Sequence, residues 1–133
     1  MLSAYWCNKV LRTMYIDTQT TFYIGLSGRV PDADGSGVRE PAGNSYARVP
    51  IVFTEPEDGM ISNAENINFP ACLDDWFPAA AKAVCYVVFD GPGPDANVLG
   101  AGEFFSPIEM TENYRMVINS GFLRITLAGH AAV

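Results

Sequence analysis

The feature that most constrains this chain is a series of strand-length runs rich in β-branched and aromatic residues, each closed by glycine, proline or asparagine. They are TTFYIGLS (20–27), SYARVPIVF (45–53), ENINFP (65–70), AVCYVVFD (83–90), NVLGAGEFF (97–105), YRMVI (114–118) and FLRITLA (122–128). Branched and aromatic side chains fill a pleated, half-buried surface, and such runs at regular spacing mark an all-β chain. Tyr46, Val49, Ile51 and Phe53 are the apolar anchors of the second run, and Pro50 within it places that strand at an edge or a bulge. The run 83–90 is apolar almost throughout, as a strand buried on both faces would be. Gly91-Pro92-Gly93-Pro94 and Asn119-Ser120-Gly121 are turns, the second short enough to close a hairpin. We expect one domain over 1–133: an antiparallel β-sandwich of about seven or eight strands within 20–128, followed by a tail at 129–133.

Only residues 2–15 (LSAYWCNKVLRTMY) read as helix. Ser3 can cap the start, and Trp6, Val10 and Met14 recur every four residues, with Cys7 and Leu11 beside them. Lys9 and Arg12 lie toward the C-terminal half, where cations suit the helix dipole. The segment either packs on its own domain, covering one end of the sandwich, or presents Trp6, Val10 and Met14 to a partner.

Of 133 residues, 49% are hydrophobic, so the chain buries enough apolar surface to order itself. Only 17% are charged, a thin charge cover that fits a surface partly occupied by a neighbour. With 8 basic against 15 acidic side chains the net charge is −7, which repels phosphate and argues against nucleic acid or an anionic membrane as partner. The longest apolar stretch, 78–89, is interrupted by Lys82 and is too short to span a bilayer. The N-terminal residues lack the basic, apolar and small-residue sequence of a secretion signal. Cys7, Cys72 and Cys85 are an odd set without CxxC spacing. They read as buried thiols made in a reducing cytoplasm.

Catalytic patterns are sparse. His130 is the one histidine, in a terminal segment, and Gly25-Leu26-Ser27-Gly28 is followed by Arg29, so no nucleophile elbow forms. Asp74-Asp75 and Glu55/Glu57/Asp58 lie on loops with no apolar packing to raise a pKa. No phosphate-binding glycine loop precedes a helix. In the long loop 28–44, Asp32, Asp34 and Ser36 open like a calcium loop, but Gly43 stands where the closing glutamate belongs; the competing reading is an Asx-rich turn. Loops 54–64 and 70–81 are the other two long connections, the latter carrying Trp76 and Phe77. That pair reads as a core plug, a protein interface or a sugar-stacking surface. These patterns imply no enzyme, metal or cofactor.

With these residues in view, FYIGLS (22–27), PDADGSGVREPAGNSYARVP (31–50), ISNAENINFP (61–70), Trp76, VVFD (87–90), VLGAGEFFSP (98–107) and INSGFLRITL (118–127) resemble small virion structural proteins of tailed bacteriophages, a group including tail-fibre and minor structural proteins. The block from Asp34 to Val49, with Glu40-Pro41, Gly43 and Tyr46-Ala47-Arg48-Val49, is its most specific part. The resemblance implies a non-enzymatic protein, made in the bacterial host cytoplasm and residing in the virion. It would contact other virion proteins (major capsid protein or tail proteins) and further copies of itself. One reading docks it on the particle surface as a capsid decoration, cement or head-fibre protein, through Trp6, Val10, Met14, Trp76 and Phe77. The other places it on the tail as a module for a host receptor or glycan. Arg48 is expected to pair with Glu40 and so anchor the long loop.

Overall fold

The computed structural model describes residues 1–43, 45–78 and 81–127. Its elements are helix α1 (Ala4–Leu11), a π-helical turn (Arg12–Ile16), and strands β1 (Phe22–Ser27), β2 (Val49–Ile51), β3 (Met60–Ser62), β4 (Ile67–Asn68), β5 (Ala83–Phe89), β6 (Val98–Ile108), β7 (Val117–Ile118) and β8 (Arg124–Thr126). The class is all-β and sandwich-like, with antiparallel sheets and one short N-terminal helix. The strands form one four-stranded sheet, β2-β1-β5-β6, and two ladders, β3-β8 and β4-β7. Ala128, the tail 129–133 and His130 lie outside the described residues.

The chain divides into two compact units, one of Met1–Thr20, Ile51–Ile67 and Ile118–Val133, the other of Thr21–Pro50 and Asn68–Val117. In the second unit, β5 runs antiparallel between β1 and β6, with Tyr23 opposite Phe89 and Ser27 opposite Cys85 on one side, and Cys85 opposite Glu103 on the other. Residues two apart share a face of a strand. Cys85, Val87 and Phe89 therefore form one buried cluster, against which Tyr23, Val38 and Val98 pack. Val88, on the opposite face, is buried too, as are Ile24 and Leu26 of β1. The apolar run 83–90 is thus an interior strand, and β2, with Pro50 at its centre, is an edge.

The first unit corrects two expectations. Loop 54–64 contains strand β3 and a two-residue hairpin. Glu57 and Met60 exchange both backbone hydrogen bonds, at 3.0 Å each, around Asp58 and Gly59 with φ of 53° and 73°. Positive φ at both central positions is what a tight right-twisted hairpin needs, and an Asp-Gly pair supplies it at low cost. Asn119-Ser120-Gly121, by contrast, closes no hairpin: β7 pairs with β4 and β8 with β3. The cause is Asn63, 1% exposed. Its Oδ1 accepts the Leu123 N–H at 2.9 Å, while its Nδ2 donates to the carbonyls of Glu65 at 2.8 Å and Asn119 at 3.0 Å. One amide thereby bonds backbone groups on both sides of the Asn119–Gly121 turn and a further carbonyl at Glu65.

Helix α1 begins as expected, with Ser3 Oγ accepting the Trp6 N–H at 3.1 Å. It buries a different stripe from the one the apolar spacing marks. Cys7 and Leu11 face inward, while Trp6 is 48% and Met14 60% exposed. The side that docks is the one carrying Asn8, whose Oδ1 accepts the Gly59 N–H at 2.7 Å and ties the helix to the β3 hairpin. After Leu11 the π turn inserts an extra residue per turn and takes Met14 out of register with the helix. Arg12 pairs with Glu55, and Tyr15 stacks edge-on against Phe53 at 5.3 Å.

Replacing Asn63 by Ala removes its side-chain bonds to the Glu65, Ile118 and Asn119 carbonyls and to the Leu123 N–H. We expect Asn63→Ala to lower unfolding stability by about 2–4 kcal/mol, read as a shift in the urea midpoint, because buried polar groups lose their hydrogen bonds without regaining water.

Candidate functional site

The richest polar constellation is in the second unit, where loop 28–44 returns toward the sheet. Arg48 lies at its centre. Its Nη2 donates to Glu40 Oε1 at 2.5 Å and its Nε to Glu40 Oε2 at 3.0 Å, a two-pronged pairing that fits the planar guanidinium to the planar carboxylate. Nη1 donates to the carbonyls of Gly93 at 2.6 Å and Gly91 at 3.2 Å. The guanidinium carbon sits 3.5 Å from the centre of the Phe89 ring, in cation–π contact. Tyr46 completes the group: its hydroxyl donates to Glu40 Oε2 at 2.5 Å and accepts the Leu26 N–H at 3.2 Å.

Local sequence explains the convergence. Tyr46 and Arg48 are two apart just before β2, and both side chains reach Glu40. Pro92 and Pro94 hold the carbonyls of Gly91 and Gly93 in a turn that a flexible loop would not preserve. Gly25 makes room: a Cβ there would stand 2.6 Å from Tyr46 Oη and 2.9 Å from the Phe89 ring. At the near end of the loop, buried Ser27 accepts the N–H groups of Arg29 at 3.2 Å and Arg39 at 3.0 Å, drawing both loop arms to the end of β1. Asp90 closes the proline turn by accepting Asn97 N at 2.7 Å and Nδ2 at 2.8 Å; these bonds hold its carboxyl below the usual pKa.

Electrostatically the cluster is closed. Burial, reinforced by the hydrogen bond to Glu40, pushes the Tyr46 phenol far above its ordinary pKa. The bond to Glu40 also raises the Arg48 pKa. Both Glu40 oxygens are engaged, so the constellation holds a loop in place and presents no group poised to move a proton. Burial likewise raises the thiols of Cys72 and Cys85, against the thiolate character that reactivity requires.

The other sequence-marked residues fall into separate places. Trp76 and Phe77 are 1% and 7% exposed, so the described chain uses them as core and leaves neither open to a neighbour or a sugar. Trp76 Nε1 donates to Ser45 Oγ at 2.9 Å, and its ring meets Tyr46 edge-on at 5.2 Å, so it buttresses the Arg48 cluster. Trp6 on α1 and Met14 on the π-helical turn stay exposed, with Val10 of α1 half-buried. Asp32, Asp34 and Ser36 do come together. Ser36 Oγ donates to Asp34 Oδ1 at 2.6 Å and Asp32 Oδ2 at 3.3 Å, and Arg29 pairs with Asp32 at 3.1 Å. The carboxylates are thus engaged by a hydroxyl and a guanidinium in an Asx-type turn. Among the described residues no group of three or more His, Cys, Asp or Glu is arranged to hold a metal ion. The sequence reading missed the Tyr46 hydroxyl, the Phe89 ring, the two glycine carbonyls and Ser45. Only the Tyr46/Arg48 spacing signalled any of them.

The fold and this loop clamp define a class: a β-structured protein whose buried charges hold a long surface loop. A family model described as Podophage GP4 fiber I protein gp80 matches residues 1–126, and the chain belongs to that family. It is therefore a bacteriophage fibre-type structural protein, a virion component that associates with other virion proteins. No curated protein matches it. Among the described residues no helix is long and apolar enough to cross a membrane.

Two outcomes test the clamp. Arg48→Met leaves Glu40 without its counter-charge in a largely buried place and is expected to cost about 3–5 kcal/mol, with Arg48→Lys recovering only part because it lacks the planar fork. Limited proteolysis should then cut within 28–44. The second concerns alkali. The folded state binds the Tyr46 proton more tightly than the unfolded chain, so this contribution is whole below about pH 10 and falls as pH rises further. Tyr46→Phe should be less stable than the parent by about 1–2 kcal/mol at pH 8, and the gap in urea midpoints should narrow by pH 11.

Proposed function

We propose that this chain is a non-enzymatic structural component that docks on the assembled particle as a head-fibre or capsid-decoration protein. The observation that carries the reading is the use of its best-buried charges. Glu40, Tyr46 and Arg48 spend their hydrogen bonds on one another and on the chain's own backbone, shaping a loop surface for display. The family description names a fibre, which supports exposure on the particle exterior. A β-rich chain with no shaft repeat or heptad run among these residues suits saturating attachment to a shell. Its neighbours would be the major capsid protein or other virion proteins, and further copies of itself.

A tail-associated module for a host receptor or glycan is the second reading. It is favoured by the same fibre description and by exposed aromatic side chains, Tyr5 and Trp6 on α1 and Phe122 before β8, whose flat faces suit sugar rings. Electron cryomicroscopy of purified particles, with this chain fitted into the density, separates the two. Regular density over the head surface, in fixed copy number, is the expected result. Density confined to the tail would replace the first reading by the second, and absence of the chain from mature particles would remove both.

A further inference from the structure

Three aspartates of this chain precede glycine, in Asp34-Gly35, Asp58-Gly59 and Asp90-Gly91. Such a pair is chemically weak, because glycine has no side chain to keep its nitrogen away from the aspartate carboxyl. When that nitrogen attacks Cγ, a C–N bond forms and a carboxyl oxygen departs as water, taking the amide hydrogen and a proton. A five-membered succinimide is left, and water then adds back. Opening at the side-chain carbonyl restores aspartate. Opening at the main-chain carbonyl leaves isoaspartate, whose backbone runs through Cβ and is longer by one carbon.

The fold restrains the three pairs in different ways. At Asp90 the carboxylate is held, both oxygens accepting from Asn97 at 2.7 and 2.8 Å. At Asp34 both reacting groups are held. Its Oδ1 accepts the Ser36 N–H at 3.0 Å and hydroxyl at 2.6 Å, and the Gly35 N–H donates to the Asp32 carbonyl at 2.8 Å. These bonds also lower the pKa of both carboxyls, and a carboxylate is a poorer electrophile than the acid. Asp58 has no such restraint: its side chain is exposed and, among the described residues, makes no hydrogen bond or ion pair. Protection there falls to the glycine. Buried Gly59 donates its N–H to Asn8 Oδ1 at 2.7 Å and accepts the Leu127 N–H at 2.9 Å. A Cβ on it would stand 3.0 Å from the Leu127 carbonyl oxygen, so the backbone is closely confined as well. Attack on Asp58 requires the Gly59 nitrogen to give up its hydrogen and the planar 58–59 peptide to turn toward Cγ. The bond to Asn8 opposes both.

We infer that Asp58 is the position at which this chain isomerises to isoaspartate, and that Asn8 of α1 guards it, the rate being set by how often the helix lifts its amide from Gly59. Each event lengthens the turn that receives Asn8 and so loosens the tie between α1 and the β3 hairpin. The test holds the purified full chain in warm neutral buffer for weeks and follows it by peptide mapping that separates aspartyl from isoaspartyl peptides. Isoaspartate is expected at Asp58 ahead of Asp34 and Asp90. Asn8→Ala, shown folded by circular dichroism, should raise the rate at Asp58 alone by about fivefold to tenfold, the shift that loss of one hydrogen bond gives an opening equilibrium. Asp58→Asn decides the matter if Asn8→Ala fails to fold, because Asn-Gly suits the same tight turn. It reaches the same succinimide with loss of ammonia, and this deamidation should be at least about fivefold slower in the native protein than in the guanidinium-unfolded chain. Faster isomerisation at Asp34 or Asp90 than at Asp58 would overturn the inference. So would an unchanged Asp58 rate in folded Asn8→Ala, or native Asp58→Asn deamidating as fast as the unfolded chain.

Discussion

A guanidinium removed from water needs charge and hydrogen-bond partners together, and in the second unit that need organises the chain. Arg48 is met by Glu40 from the far arm of a long loop, by Phe89 from the centre of the sheet, and by two carbonyls from the turn that follows. Each partner comes from a different stretch of sequence, so satisfying one side chain sets the positions of three backbone segments. A loop of this length loses considerable freedom when it closes, though the loss grows only slowly with length. What decides whether it stays closed is the cost of opening, which would leave a carboxylate and a guanidinium half-buried and apart. The surface between β1 and β2 is therefore shaped by electrostatics acting through the loop ends, with Ser27 gathering both arms and Trp76 backing Tyr46.

A similar economy operates in the first unit with a neutral side chain. Most strands are two or three residues long and cannot satisfy many backbone groups through ladders. Asn63 supplies the missing partners from one buried amide, and the Asn8 and Ser3 side chains do the same for the hairpin and the helix start. Side-chain-to-backbone bonds of this kind let a chain keep irregular connections ordered without long sheets, which suits a protein whose loops are its outer surface.

How legible this was in the sequence follows from what each element depends on. The buried strand β5 and the edge strand β2 could be read because apolar runs and a mid-strand proline act locally. The helix start was legible for the same reason, since a serine cap needs only its own turn. The helix face was not: Cys7 and Leu11 are buried in place of the bulkier Trp6 because the docking hairpin, remote in sequence, meets the side carrying Asn8. The hairpin at Asp58-Gly59 had a local signal in that dipeptide, overshadowed by the acidic, proline-bearing residues around it. Asn63 and the carbonyl partners of Arg48 had none, because an asparagine or a glycine–proline turn in sequence carries no mark of what it will bond. The Arg48–Glu40 ion pair lies between these cases. The residues stood out, but that both oxygens of the carboxylate would be used, one of them by Tyr46, follows only from the folded geometry.

The contrast between interior and edge gives the fold its functional direction. Inside each unit, polar atoms are matched with some care: an amide with four backbone groups, a guanidinium with four acceptors. Along β6 the same chain leaves a row of backbone groups and a bare phenylalanine to solvent. A free-standing domain with such an edge risks uncontrolled association, and β6 limits it with the charge of Glu103, with Pro107, and with register shifts on the side that pairs with β5.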